Sequence, residues 1–334
     1  MRAMLLRHHS HIEEKPLELV EMPKPKAGKG EILIKVKVCG ICHTDLHIIE
    51  KEITPSKLPL IPGHQIVGVI DEVGEGVKKR KVGEVVGVPW LYSSCGKCQA
   101  CLRGMENLCE NIKFTGFDVN GGLAEYHLAK EDFVYPIPQN FSFINAAPLL
   151  CAGIIGYRAL RLSQIKKGEV LGLYGFGSSA HITIQVARYL GSEVYVFTRS
   201  KEHQILAKKL GASWVGTADD EPPSLIDSGI IFAPAGSLLP KALKLLRKGG
   251  TLALAGIYMD RIPEMPYTLL YGERCLKTVA NSTRQDAKEL FYYASRIPIK
   301  TEVETFPFER TNEALIKLKR SEINGSGVVV IDQS

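Results

Sequence analysis

The sequence contains no apolar run approaching 18 residues, so no segment is expected to cross a membrane as a helix. It also contains no block of one charge. The 42 Lys and Arg are scattered among 36 Asp and Glu, for a formal balance of +6. That balance favours an anionic ligand only weakly and gives no basic stripe of the kind that tracks nucleic acid. Internal repeats and low-complexity linkers are missing as well. The opening MRAMLLRHHSHIEE turns polar before a signal-peptide core could form, so the expected location is cytoplasmic. A chain with 45% hydrophobic and 23% charged residues is too apolar to be disordered, and 334 residues suggest about two domains.

Cysteine is the informative residue. Eight occur, at 39, 42, 95, 98, 101, 109, 151 and 275. In a reducing compartment such clusters bind metal more often than they form disulfides. CGKCQACLRGMENLC has the spacing C-x2-C-x2-C-x7-C. Four soft thiolates, Cys95, Cys98, Cys101 and Cys109, complete a closed tetrahedral shell for zinc with no position left for substrate, so this site reads as structural. Free surface thiols would be prone to oxidation. A nucleic-acid zinc ribbon would separate two knuckles by fifteen or more residues.

Two textures divide the chain. The first 150 residues read as short strands and turns: EILIKVKV (31–38) alternates at period two like a half-buried strand, followed by 64–77, 81–88 and 124–138. From about 150 onward strand and helix alternate. Strands are expected within 169–177 and at 193–198, 229–235, 251–256 and 275–281, with helices at 179–191, 201–211 and 237–250. That alternation predicts a parallel sheet covered on both faces. The tail, 311–331, reads as a helix and a final strand.

The turn Gly175-Phe176-Gly177-Ser178-Ser179-Ala180 follows the apolar VLGLY and opens a helix. This is G-x-G-x-x-A in a strand–turn–helix setting, which lets the backbone and the helix N-terminus approach a pyrophosphate. The end of the next strand, where an NAD enzyme usually carries an acid for the ribose 2′-hydroxyl, reads Thr198-Arg199-Ser200. A carboxylate there would oppose a 2′-phosphate by about 4 kcal/mol at 4 Å and an effective dielectric of 20. Its absence, with Arg199 able to pair bidentately, favours NADP over NAD, NAD remaining possible. A solvated arginine at a strand end is the ordinary alternative.

Three further segments, CGICHTDLH (39–47), PGHQ (62–65) and LLCAGIIGY (149–157), each offer one candidate ligand on a Gly-flanked turn and are weak evidence singly. With the cysteine lobe and the dinucleotide turn, in this order over the full length, the sequence resembles the zinc-dependent medium-chain alcohol dehydrogenases. The segments GVPWLYSSCGKC and LLCAGIIGYRAL are similar to the cinnamyl-alcohol-type branch.

The resemblance implies a GroES-like, β-rich catalytic domain (1–152 and 280–334) and a doubly wound, Rossmann cofactor domain (153–279), with the active site in the cleft between them. It implies two zinc ions per chain. Cys42, His64 and Cys151 would hold the catalytic one and leave a fourth position open, while Cys39 and Cys275 would be core thiols. It implies hydride transfer between an alcohol, acidified at the metal, and NADP. Thr44 would take the alcohol proton and pass it through the cofactor ribose to His47; Asp45 would orient His64, and His43 would face the pyrophosphate. Most relatives have Glu where this chain has Gln65, so the metal should be slightly more electrophilic here.

A small alcohol or aldehyde is the expected partner, with a homodimer or homotetramer by family habit and no membrane or nucleic acid. Pro89, Trp90 and Leu91 hint at an apolar or aromatic substrate but could equally be core. The rivals are an NAD-linked enzyme of the same reaction, a non-catalytic zinc- and nucleotide-binding relative, and a zinc-free quinone reductase.

Overall fold

The computed structural model describes residues 1–323 and 325–332. The chain divides into two compact units: Met1–Cys151 with Thr283–Phe291 and Lys300–Ser334, and Ala152–Ser282 with Tyr292–Ile299. The sequence places 1–152 and 280–334 in the first part, whereas Ala152, 280–282 and 292–299 fall in the second unit.

In the first unit the strand Glu31–Ile41 is the spine of a seven-stranded sheet. It pairs antiparallel with Gln65–Val73 and, along different stretches, with Ser326–Val330 and Tyr126–Lys130. The period-two pattern suggested a half-buried strand, but Leu33 is as buried as Ile32 and Ile34, and both faces are covered. The reason is its central place in the sheet and register shifts between Leu33 and Ile34 and between Val36 and Val38, which break the simple in-out alternation. The core gathers Met4, Leu6, Ile34, Val36, Ile48, Leu60, Ile66 and Phe308. A ribbon, Arg2–Leu6 with Leu17–Glu21, was not anticipated. Neither was the helix His43–Ile49, which follows the spine strand directly where a turn was expected.

The second unit is a six-stranded, all-parallel sheet. Val170–Tyr174 lies beside Glu193–Phe197, which lies beside Trp214–Gly216. On its other side come Ile226–Ile231, Leu246–Leu254 and Cys275–Thr278. In order of appearance the strands run 3-2-1-4-5-6 across the sheet. The direction of winding reverses beside the first strand, and ligands of such sheets bind at the carboxyl ends of the strands at that switch point. The helices Ser178–Tyr189 and Lys201–Lys209 lie where the apolar spacing puts them. The helix expected over 237–250 ends at Leu245, and Leu246–Leu254 is strand. Gly249, at φ +74°, supplies a backbone conformation there that a helix cannot use. Helices at Ala152–Ser163 and Arg284–Ala294 were also missed. Cys275, expected in the core, is exposed on the edge strand; Cys39 is fully buried. Among the described residues no single helix is long and apolar enough to cross a membrane.

Candidate active site

The spine strand ends at Ile41, and the next residue caps the helix His43–Ile49. Cys42 is held extended there, with its Sγ accepting from the Thr44 amide at 3.4 Å. Asp45, wholly buried, closes the cap from the other side: its Oδ2 accepts from the Cys42 amide at 3.0 Å. Its Oδ1 accepts from the Gly63 amide at 3.2 Å and lies 3.2 Å from His64 Nδ1. One carboxylate thereby ties together the two segments that carry Cys42 and His64. His64 Nε2 is turned toward Cys42 Sγ at 3.2 Å.

Cys151 completes the group, and the donor atoms of Cys42, His64 and Cys151 lie within 4.8 Å of one another. Zinc bonds of about 2.0–2.3 Å place tetrahedral ligand atoms about 3.3–3.8 Å apart, so these residues fit such an ion with modest adjustment. Their protonation fits too. Burial opposes charge on His64, but Asp45 and the Cys42 thiolate outweigh it and raise its pKa to about 10. Cys42 is drawn well below the usual thiol value, first by a hydrogen bond from Cys151, which holds the shared proton. A thiolate beside a cationic imidazole and a buried carboxylate is a site where a divalent cation displaces protons.

The four-cysteine lobe is the second such group, its sulfurs likewise within 4.8 Å of one another. Amides of Cys95 and Asn111 donate to Cys109 Sγ, and the Cys98 amide to Cys95 Sγ, each at 3.3 Å. Amide donors from Lys97 and Cys98 lower the Cys95 pKa to about 6. The lobe is anchored by a pair that no local spacing announces. Glu106, inside the lobe, accepts from the Arg284 backbone at 2.7 Å and from its guanidinium at 2.8–3.1 Å. Arg284 also lies over the Phe133 ring at 4.7 Å. A third group, His11, Glu13 and Glu50, has suitable spacing, but Lys319 already bridges both carboxylates at 2.8–2.9 Å.

Thr44 is buried and His47 half-buried on one short helix, three residues apart and so on neighbouring positions of its surface. His47 Nδ1 pairs with Glu52, a partner the sequence reading did not name; the helix end brings that carboxylate round. His43 is exposed. Gln65 is buried, its side chain laid against Gly40 so closely that a Cβ there would sit 3.0 Å from its Oε1. Of the three residues suspected of lining a substrate site, Leu91 is core. Trp90 is half-buried with its ring 4.8 Å from that of His64, edge to face.

In the second unit Gly175 follows the first strand at φ +87°, where a side chain would be strained, and a Cβ would sit 3.0–3.4 Å from Ala233. Phe176 is buried, Gly177 caps the helix Ser178–Tyr189, and Ser178 and Ser179 are half-buried in its first turn. Thr198 is buried at the end of the second strand, its amide donating to Gly216 O at 2.8 Å. Ser200 caps the next helix through the His203 amide. Arg199 between them is exposed and makes no ion pair among the described residues.

Residues 28–139 match the alcohol dehydrogenase GroES-like domain, and residues 180–295 the zinc-binding dehydrogenase domain. A probable alcohol dehydrogenase of Mycobacterium tuberculosis (strain CDC 1551 / Oshkosh) is 41% identical over 337 residues, covering 99% of this chain and 97% of its own. Among solved structures, a cinnamyl alcohol dehydrogenase from Sorghum bicolor has a TM-score of 0.90 at 27% identity, covering 100% of this chain and 98% of its own. The CAD from Helicobacter pylori complexed with NADP(H) has a TM-score of 0.87 at 27% identity and full coverage of both chains. Two matching domains in their order, with a full-length relative above 40% identity, make this an NAD(P)-dependent oxidoreductase with alcohol dehydrogenase activity, and the chain belongs to the zinc-dependent medium-chain alcohol dehydrogenase family.

Proposed function

We propose that the chain interconverts an alcohol and the corresponding aldehyde or ketone, with NADP preferred over NAD. One zinc would sit on Cys42, His64 and Cys151, and a second in the four-cysteine lobe. The observation that carries this reading is the convergence, among the described residues, of three donors of the right chemistry, two sulfurs and one imidazole, in contrast to the closed four-donor lobe.

When bound, zinc acidifies a coordinated hydroxyl and polarises a carbonyl. The chain's own residues do the rest. Asp45 holds the His64 ring by its Nδ1 side and keeps Nε2 toward the metal position. The Thr44 hydroxyl both accepts and donates, as a relay of the alcohol proton requires. His47 passes that proton on, its ring oriented by Glu52 on Nδ1 and its Nε2 left for exchange. Trp90 beside His64 favours an apolar or aromatic alcohol.

In the second unit, backbone amides after Gly175 receive the pyrophosphate, and Thr198 and Ser200 present hydroxyls where an acid would repel a 2′-phosphate. Arg199 makes no ion pair among the described residues and is available to pair with it. The edge strand Cys275–Thr278, beside a shallow groove containing the exposed Tyr267 and Tyr271, supports self-association as a dimer or tetramer. Two groups of cysteines placed as metal ligands fit a reducing, cytoplasmic setting.

The test is zinc stoichiometry together with turnover of aliphatic, benzylic and cinnamyl alcohols with NADP⁺ and NAD⁺. Two zinc per chain, activity lost on chelation and a higher kcat/KM with NADP⁺ are expected. Undiminished oxidation by metal-free protein would refute the zinc mechanism, and a clear preference for NAD⁺ would refute the cofactor assignment. Bound zinc and nucleotide without turnover would identify a non-catalytic relative.

A further inference from the structure

We infer that Phe114, at the head of the turn 114–119, is a positioning residue that sets the plane of Trp90 at the three-ligand centre, and that the four-cysteine lobe controls it. This rests on the reading of that centre as the alcohol site.

The Trp90 indole touches His64 on one side and is stacked on Phe114 on another, with ring centroids 4.9 Å apart and planes 16° apart. Phe117 adds a tilted contact at 5.8 Å. The backbone is fixed as firmly as the rings. Thr115 is fully buried; its amide donates to Trp90 O at 2.8 Å and its hydroxyl to Pro89 O at 2.9 Å. The turn closes on itself through Asp118, whose carboxylate accepts from the Phe114 amide at 2.8 Å while its own amide donates to Phe114 O at 3.0 Å.

The same turn braces the metal ligand. Gly116, at φ +71°, lies so close to Gly63 that a Cβ would be 2.8 Å from Gly63 O and 2.9 Å from Gly63 N. Residues 114–116 therefore press on both the ring packed against His64 and the residue that precedes it. An aromatic stack with this geometry leaves the indole little freedom to tilt.

Control by the lobe follows from connectivity. Phe114 ends the strand Lys113–Phe114, which pairs with Leu91–Ser93, Leu91 opposite Phe114 and Ser93 opposite Lys113. The residues between these two short strands contain all four lobe cysteines. A two-residue pairing is too short to hold its own register. An ion held by the four cysteines would fix the ends of the two strands, and with them the position of Phe114 under Trp90.

The chain has two tryptophans, so in a Trp214→Phe background the emission reports Trp90 alone. In that background Phe114→Leu should shift Trp90 emission to the red. It should also raise KM for benzyl alcohol by about fivefold, the effect of one aromatic contact, with little change for 1-propanol. Phe114→Tyr should restore both. Cys98→Ser, which opens the lobe, should shift the emission in the same direction while one zinc per chain remains. If Phe114→Leu does not fold, Phe114→Met carries the same readouts. Unchanged emission and an unchanged ratio of the two KM values in a folded Phe114 variant would overturn the positioning role. Unchanged emission in Cys98→Ser would overturn control by the lobe. Should the wild-type chain oxidise no alcohol, the functional reading fails, and the emission measurements still decide this inference.

Discussion

Replacing Asp45 by Asn tests the frame on which the metal centre stands. The carboxylate accepts from two buried amides, those of Cys42 and Gly63, and faces His64 Nδ1. An amide side chain has one oxygen, so one of the two backbone donors must face an NH₂ group instead. The loss is one charge-assisted hydrogen bond together with one buried N–H left unsatisfied, about 3 kcal/mol. Expressed wholly in metal affinity this is about 100-fold, the upper end of what removing such a supporting group costs. A second effect has the opposite sign. Without the carboxylate the pKa of metal-free His64, about 10 in the native chain, falls, and protons compete less with the metal at neutral pH. Zinc affinity should therefore drop, and its rise with pH should flatten. Equilibration against graded zinc chelators over a range of pH, with circular dichroism to verify folding, measures both. Native affinity with a native pH slope in the variant would refute the argument that Asp45 organises the ligands.

Further expectations concern other residues. Thr44→Ala should lower turnover sharply while zinc content persists; near-normal turnover would remove Thr44 from the proton path. Gln65→Glu buries a carboxylate beside His64, so the pH profile of kcat/KM should move more than zinc content, and an unaltered profile would count against it. Arg199→Ala should raise KM for NADP⁺ by about tenfold, one charge-assisted pair, and leave that for NAD⁺ unchanged; equal effects would refute the 2′-phosphate role. His127 is buried, its Nε2 has no hydrogen-bond partner among the described residues, and burial lowers its pKa from 6.5 to about 4. Its neutral form is thus favoured by folding, a contribution present above 6.5 and lost as the pH falls toward 4. Between about pH 7.5 and about pH 4.5 wild type should lose about 2.5 kcal/mol more stability than His127→Gln in urea unfolding, and equal losses would show that the group is not buried neutral.

Much of the site was legible because its chemistry is local in sequence. Four thiols within fifteen residues and G-x-G-x-x-A after an apolar strand need only short-range spacing to be read. Cys42, His64 and Cys151 were reachable only through the order of several weak motifs, since what unites them is the sheet and not the spacing. The contacts that hold the site were not legible. Glu106 and Arg284 stand 178 positions apart. Glu52 meets His47 only because a helix forms where Gly-flanked residues suggested a turn. Trp90 and Phe114 face each other across an entire metal lobe. Cys275 was assigned to the core because the resemblance left it no metal role, but its strand lies at the open border of the sheet and exposes it.

The single carboxylate shared by the segments of Cys42 and His64 makes the three ligands unequal. Two of them are locked to each other before any metal arrives, so their ordering entropy is spent during folding. Cys151 stands outside that lock. Its thiol is joined to Cys42 by a hydrogen bond and not by Asp45, so a change at Asp45 should disturb Cys42 and His64 before it disturbs Cys151.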